Sequence, residues 1–412
     1  MKNKKTKLFI SLLTASLFAV NLSALTLDEA IDISIKSNHD IKSQNFDYLE
    51  SLDNVKLSKS SFLPKVNLGF SYNNRDEANS YVEEDGILTA SASYNLFNGF
   101  KDQANKTSAK FLSKSSKYSL EALKQDIILD TKTAYINYLD KQNALETFKS
   151  AYSLFQEQYE DSENRFNEGL IAKNDLLQVQ VNMSSAKQNV VKAQGALKIA
   201  KYTLSNILGG KDLSNEKIEP LEDNSLKPKR YDVKNLQNRS EIQALKMNIE
   251  ALKQQKKSIK STYYPKLDAS ATHNKYYEDA AKIYEDQNIL SLSASWNLYN
   301  GGYDDTNQNI YRTRYLKAKS QLAKTNLDIK LQYENALSNL DVAIDNLKTA
   351  NLSLEQSNEN YEIVKNRFDE GISTSTDLTD ANYLLTQAKQ NYSRAYFDKY
   401  LAIASLDRIF EK

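Results

Sequence analysis

Residues 159–189 read YEDSENRFNEGLIAKNDLLQVQVNMSSAKQN, and residues 361–391 read YEIVKNRFDEGISTSTDLTDANYLLTQAKQN. At a constant offset of 202, Tyr159, Asn164-Arg165-Phe166, Glu168-Gly169, Asp175-Leu176 and Ala186-Lys187-Gln188-Asn189 return as Tyr361, Asn366-Arg367-Phe368, Glu370-Gly371, Asp377-Leu378 and Ala388-Lys389-Gln390-Asn391. Each copy joins one long apolar-periodic segment to another through a short polar turn around a glycine, the pattern of a helical hairpin. Repetition at a fixed period outranks length as a guide to architecture. A chain of 412 residues is long enough for two or more ordinary domains, but this one reads as a duplication with a pseudo-twofold relation between its halves.

Upstream of each turn the chain runs from Phe100 to Phe166, and from Tyr303 to Phe368, without glycine or proline. At 1.5 Å per residue each stretch is a helix of roughly 100 Å. Tyr138, Leu145, Tyr152, Tyr159 and Phe166 recur every seven residues, with Phe148 and Phe155 between them. Leu340, Leu347, Leu354, Tyr361 and Phe368 keep the same register in the second copy, with Ala343 and Ala350 at the intermediate position. A sustained seven-residue repeat predicts supercoiled packing against neighbouring helices. Residues 175–208 and 377–410 run back as shorter partners, and residues 232–263 form a further helix. The segment 209–231, with two prolines and many charges, reads as a connector around the waist of the helices.

Before each long helix the period changes from 3.6 to 2. In Pro64–Asn73, Val66, Leu68, Phe70 and Tyr72 oppose Asn67, Gly69, Ser71 and Asn73. In Ile87–Phe97, Leu88, Ala90, Ala92, Tyr94 and Leu96 oppose Thr89, Ser91, Ser93 and Asn95. The second half repeats the hairpin after Pro265, with Leu267, Ala269 and Ala271, then with Leu290, Leu292, Ala294, Trp296 and Leu298 against Ser291, Ser293, Ser295 and Asn297. Strands of about ten residues with one apolar and one hydroxylic face match the length of a tilted bilayer crossing. Four such strands cannot close a barrel around a pore, so the barrel must be shared between chains. Tyr94, Phe97, Trp296 and Tyr299 cluster at strand ends, where an interface girdle of aromatics is expected. Ahead of the first hairpin, Leu25–Ser61 reads as one helix, capped by Thr26 with Glu29 as its capping-box partner.

Residues 1–24 have the layout of a secretory signal peptide: Lys2, Lys4, Lys5 and Lys7, an apolar run from Leu8 to Val20, then Asn21-Leu22-Ser23-Ala24, with cleavage expected after Ala24. Their removal takes four lysines and no acid from a formal charge of +1, leaving −3. The near-neutral balance carries no nucleic-acid footprint. The chain has no cysteine, which excludes disulfides, thiol catalysis, cysteine metal sites and a lipid-anchored N-terminal cysteine. The two histidines, His39 and His273, are far apart in unrelated contexts, and no nucleophile–base pair, metal cluster or phosphate loop is visible. Neither an enzyme nor a cofactor is expected.

The turns are the informative sites. Asn174 and Thr376 suit N-caps of the returning helices, and Asp175, Asp377 and Asp380 favour a positive helix end. The alternative is that a symmetric assembly gathers these acids into rings that attract cations. Gly169-Leu170 and Gly371-Ile372 place an aliphatic side chain on each turn, which suits contact with a partner.

The order of signal peptide, helix, strand hairpin and long helical hairpin, with the last three repeated, resembles the TolC-like family of outer-membrane efflux and secretion channels. Its carriers are Leu25–Ala30 (LTLDEA), Leu63-Pro64-Lys65, Tyr264-Pro265-Lys266, the two strand–Asn–Gly ends, and the two tips with the AKQN tracts after them. The resemblance implies an α+β membrane protein, a homotrimer in which each chain gives four strands to a twelve-stranded β-barrel in outer-membrane lipid. A coiled α-helical tunnel would continue it across the periplasm. It further implies a passive exit duct of a tripartite efflux or type I secretion system, meeting a periplasmic adaptor (membrane fusion protein) and an inner-membrane transporter of RND or ABC type. Residue by residue, the family's entrance aspartates fall on Asp377 and Asp380, with Asp175 at the acidic position of the first tip. Adaptor-contacting tips fall on Glu168-Gly169-Leu170 and Glu370-Gly371-Ile372. Where some members lock the entrance with an arginine and a tyrosine, this chain has Ser373 and Phe368. The expected organisation is residues 25–208 as the first repeat (β-hairpin 64–97, helical hairpin 100–208), 209–231 as an equatorial segment, and 232–412 as the second repeat (β-hairpin 265–299, helical hairpin 303–410). A coiled-coil structural protein of the periplasm or cell surface, without a pore, is the competing reading.

Overall fold

The structure is a computed structural model that describes residues 24–76, 82–221 and 233–411. Residues 1–23, nearly all of the expected signal peptide, lie outside the described residues, as does part of the connector. The chain begins with α1 (Leu27–Ser37) and α2 (His39–Ser60), followed by β1 (Lys65–Asn74), β2 (Glu84–Asn98), α3 (Lys101–Asn167) and α4 (Lys173–Ile207). After the connector come α5 (Ser240–Ile259), β3 (Lys266–Glu278), a short α6 (Asp279–Ile283), β4 (Gln287–Ser295), α7 (Tyr303–Asp369) and α8 (Ser375–Phe410).

The single helix expected over residues 25–61 is two. Thr26 and Glu29 form the capping box, each backbone N–H reaching the other's side chain at 3.1 Å. The helix then breaks at Asn38, whose Oδ1 accepts from the Asp40 N–H at 2.8 Å and caps α2. An asparagine that offers its own acceptor to the next turn competes with helix continuation. The break is also docked: Ser37 Oγ donates to Leu208 O at 3.1 Å and Asn38 Nδ2 to Ile207 O at 3.3 Å. Gly209, at φ 72°, lets the chains approach this closely, since a Cβ there would lie 2.7 Å from Ser37 O.

The four strands form one antiparallel sheet in the order β1-β2-β3-β4. The β2–β3 pairing joins the two repeats, and β1 and β4 remain open edges. Register aligns Val66, Leu68 and Phe70 with Ala92, Ala90 and Leu88, and Ala269 and Ala271 with Leu292 and Leu290, so one apolar face crosses all four strands. That face is bare: Val66 is 76% exposed and Leu290 is 86%. The opposite face carries Thr89, Ser91, Ser270, Thr272, Ser291 and Ser293. The largest departures from the expected strand limits are the ends of β3 and β4. β3 continues past Thr272 to Glu278 because it pairs with β2 throughout, although His273 and Lys275 interrupt its alternation. β4 ends at Ser295, which leaves Trp296, Leu298 and Tyr299 beyond the strand.

Below the sheet, α3 and α4 form one antiparallel hairpin and α7 and α8 the other, joined where α3 packs on α8. The main core sits at mid-height. Tyr135, Ile136 and Leu139 of α3 meet Leu204 and Leu208 of α4, Ile242 of α5, and Tyr400, Ile403 and Leu406 of α8. The first residues of the connector wrap this core with Leu213, Ile218 and Leu221. Leu25 bonds across to them through Lys217 O at 2.7 Å and the Glu219 N–H at 3.0 Å. Tyr135 Oη lies 2.8 Å from Leu25 O and 2.7 Å from Glu219 O, satisfying the one polar atom of a buried ring. Beside it Lys132 and Asp407 pair at 2.9 Å, both almost fully buried.

Sheet passes to helix through two consecutive left-handed residues in both copies, Gly99-Phe100 (φ 67° and 65°) and Gly301-Gly302 (φ 58° and 78°). The first junction is packed: a Cβ on Gly99 would lie 2.6 Å from Ser261 O, and the Phe100 ring stands between Phe97 at 5.1 Å and Tyr264 at 6.1 Å. The second is open, with nothing within 4 Å of a Cβ on either glycine.

Candidate functional site

The candidate site is the pair of helix tips farthest from the sheet. Both turn by the same backbone device. At the end of α3, the Gly169 N–H donates to Phe166 O at 2.9 Å and the Leu170 N–H to Arg165 O at 2.8 Å. At the end of α7, the Gly371 N–H donates to Phe368 O at 3.0 Å and the Ile372 N–H to Arg367 O at 2.8 Å. These paired bonds satisfy the last carbonyls of a helix and need a left-handed residue between them. Gly169 and Gly371 supply it at φ 75° and 76°. In this motif the residue after glycine commonly packs back on its own helix. Here Leu170 and Ile372 are 68% and 63% exposed instead.

The returning helices start two residues earlier than expected, and differently from each other. α8 is capped by Thr374, not Thr376: the Asp377 N–H donates to Thr374 Oγ1 at 3.2 Å, and the Thr374 N–H donates to Asp377 Oδ2 at 2.9 Å. α4 starts after Ala172, not Asn174, and has no side-chain cap. Asn174 instead donates to Asp175 Oδ1 at 2.8 Å. The Thr374 backbone N–H, then its hydroxyl, and also the Arg367 charge hold the Asp377 carboxyl below the usual carboxylate range. Asp175, Asp377 and Asp380 are all exposed. Ser373 is half-buried, with its N–H on Arg367 O at 3.1 Å.

Two contacts lock the hairpins together near the tips. Gln158 of α3 is 4% exposed, and its Nε2 donates to Ser375 O and Ser375 Oγ at 2.9 Å and to Thr379 Oγ1 at 3.0 Å. The Arg165 guanidinium lies 4.6 Å from the centre of the Phe368 ring, oriented by Asp161 at 2.8 Å, and its Nη2 reaches Phe368 O at 3.5 Å. Phe368 therefore has no hydroxyl with which to latch, but offers a ring face that a cation covers. It belongs to a small core with Tyr361, Leu378, Ala381 and Leu385. Neither Gln158 nor the Arg165 stack was singled out from sequence. Arg165 stood inside the repeated tract, whereas a glutamine in mid-helix gives no pattern to read.

The four strand-end aromatics sit on β2 and just after β4. Tyr94 and Phe97 lie in β2, with a register shift between Asn95 and Phe97, and Trp296 and Tyr299 follow β4. Trp296, Tyr299 and Tyr94 are exposed.

A sheet with two open edges and a bare apolar face, standing on coiled helical hairpins, defines a subunit of an outer-membrane channel with a barrel above and a helical tunnel below. The chain belongs to the outer membrane efflux protein family, whose sequence model matches residues 30–210 and 233–410. It is 22% identical to the outer membrane protein TolC of Escherichia coli (strain K12) over 384 residues, 88% of this chain and 77% of TolC. The outer-membrane channel CmeC of Campylobacter jejuni superposes with a TM-score of 0.83 at 18% identity, covering 93% of this chain and 85% of CmeC. The open state of the outer-membrane channel MtrE of Neisseria gonorrhoeae superposes at 0.79 with 16% identity, covering 93% and 88%. The protein is thus an outer-membrane efflux channel of the TolC type and not an enzyme, and the pore-free coiled-coil reading falls away.

Proposed function

We propose that three copies of this chain close a twelve-stranded barrel and that the assembly is the passive exit duct of a tripartite efflux or type I secretion system. A periplasmic adaptor engages the tips at Gly169-Leu170 and Gly371-Ile372, and an inner-membrane transporter supplies the energy. The observation that carries this reading is the sheet: four strands with unpaired edges and an uncovered apolar face form no stable unit alone, and three copies remove every edge. The uncovered Leu170 and Ile372 support the adaptor contact. Asp175, Asp377 and Asp380, on the tips of each chain, would become acidic rings at the entrance, with Phe368 and Ser373 behind them.

The test is planar-bilayer conductance of the detergent-purified protein with its oligomer mass measured alongside. Trimers giving small cation-selective steps are expected, and a monomer without conductance would remove the duct. Replacing Asp377 and Asp380 by Asn is expected to weaken block of the current by divalent cations; unchanged block would leave these acids only the helix-capping role that Asp377 has within the chain.

A further inference from the structure

We propose that the tip of α7 docks on the first hairpin of a neighbouring copy, with Arg367 lying over Phe166 of that copy as Arg165 lies over Phe368 within the chain. The inference rests on the ring of copies proposed above and specifies how its lower end is held.

The internal repeat supplies the geometry. The seam between hairpins inside one chain is α3 against α8. Shifted by 202 residues, α3 becomes α7 and α8 becomes α4, so the next seam of a closed ring sets α7 of one copy against α4 of another. The surfaces left open are the ones this seam needs. On α3, Ala151, Phe155, Gln158 and Ser162 are buried, whereas their counterparts Ser353, Ser357, Asn360 and Val364 on α7 are not. On α4, Leu177 and Val181 are exposed beside the tip. Arg367 completes the argument. Arg165 is tied to Asp161, but the corresponding position before Arg367 is Ile363, and among the described residues Arg367 has no ion pair and no ring beneath it. It is exposed, and Phe166, the counterpart of the covered Phe368, is half-buried.

The copy is imperfect at one point. Ser375 and Thr379, which clasp Gln158, correspond to Lys173 and Leu177, and neither can answer Asn360 as two hydroxyls answer Gln158. The seam between copies therefore keeps the cation-on-ring contact and loses the amide clasp, and it is the seam that parts first when the entrance opens.

Because the chain has no cysteine, introduced thiols are its only ones. Phe166→Cys with Arg367→Cys, treated with a short bis-maleimide in the detergent-purified assembly, is expected to give covalent dimers and trimers on a denaturing gel. Arg165→Cys with Phe368→Cys is expected to link within the monomer only. Where the control pair reacts and native mass shows a trimer, a 166/367 pair that stays monomeric on the gel overturns the contact and leaves the ring intact. A native mass without trimers in the unaltered protein overturns the ring and the contact with it. Should the double variant fail to assemble, single substitutions decide. Arg367→Ala is expected to raise open probability by about 10-fold to 100-fold through three lost contacts, with Arg367→Lys in between; equal gating of the two variants and the parent refutes the contact.

Discussion

Two helices of 67 residues each, α3 and α7, leave the sheet through the same pair of left-handed residues and end in the same tip. Yet they live in different surroundings. On α3, Tyr135, Ile136 and Leu139 are core residues, whereas the same places on α7 hold Leu337, Ser338 and Asp341, all outside the core. Lys132 is buried against Asp407, and its counterpart Glu334 is exposed. Duplication kept what the backbone requires (turn glycines, seven-residue register) and let side chains diverge where one copy is enclosed by its own chain. The other copy was left to be enclosed by something else.

Substitutions at paired positions should expose that division. The largest difference is expected at Lys132. Lys132→Ala removes one member of this buried ion pair, a loss of about 3–5 kcal/mol in chemical unfolding followed by circular dichroism. Glu334→Ala should stay within about 0.5 kcal/mol. Equal losses at both would mean that α7 is as enclosed as α3.

Next comes acid. Arg408 of α8 bonds both Asp126 of α3 (2.7 Å) and Glu241 of α5, and Arg239 holds Glu241 at 2.7 Å. Burial acts to raise the Glu241 pKa, but the two arginines outweigh it and bring it down to about 2. A carboxyl depressed in the folded state contributes stability above its unfolded pKa and loses it as pH falls through the folded one. Unfolding free energy should therefore drop between about pH 4.5 and pH 2 by a few kcal/mol, and Glu241→Gln should flatten that drop. A profile unchanged by the substitution would place the acid sensitivity elsewhere.

At the tips the effects are smaller. Gln158→Ala is expected to cost about 1–3 kcal/mol, because it strips a buried, three-partner amide. Asn360→Ala should cost little in detergent-dispersed monomers. Smallest is the capping difference. Thr374→Ala should lose about 1 kcal/mol, and Ala172→Thr should gain a similar amount by giving α4 the cap that α8 already has. If Ala172→Thr destabilises, the first tip is constrained by something other than its own helix.

Much of this division was legible beforehand. The offset of 202 and the turn glycines located both hairpins, and the period-2 stretches located all four strands. What failed did so for identifiable reasons. Asn174 and Thr376 precede aspartates and look like caps, but the threonine that matters is three residues before Asp377, the spacing at which both reciprocal bonds can form. The break at Asn38 was hidden inside an otherwise helical run, because its cause is the docking of Ser37 and Asn38 on the end of α4, a contact made across 169 and 171 residues. β3 outran its own alternation because β2 offered it partners as far as Glu278. The Gln158 clasp joins α3 to α8 at a sequence separation that no local pattern reports.

The two junctions beneath the sheet differ mechanically. Gly99-Phe100 is wedged by Ser261, Phe97 and Tyr264, so a torque on α3 passes straight into the strands. At Gly301-Gly302 a Cβ on either residue would meet nothing within 4 Å, and two glycines in succession resist rotation least of any pair. One long helix is a strut bolted to the barrel and the other a rod on a swivel. Twisting of α7 would therefore meet less resistance at its junction with the sheet than twisting of α3.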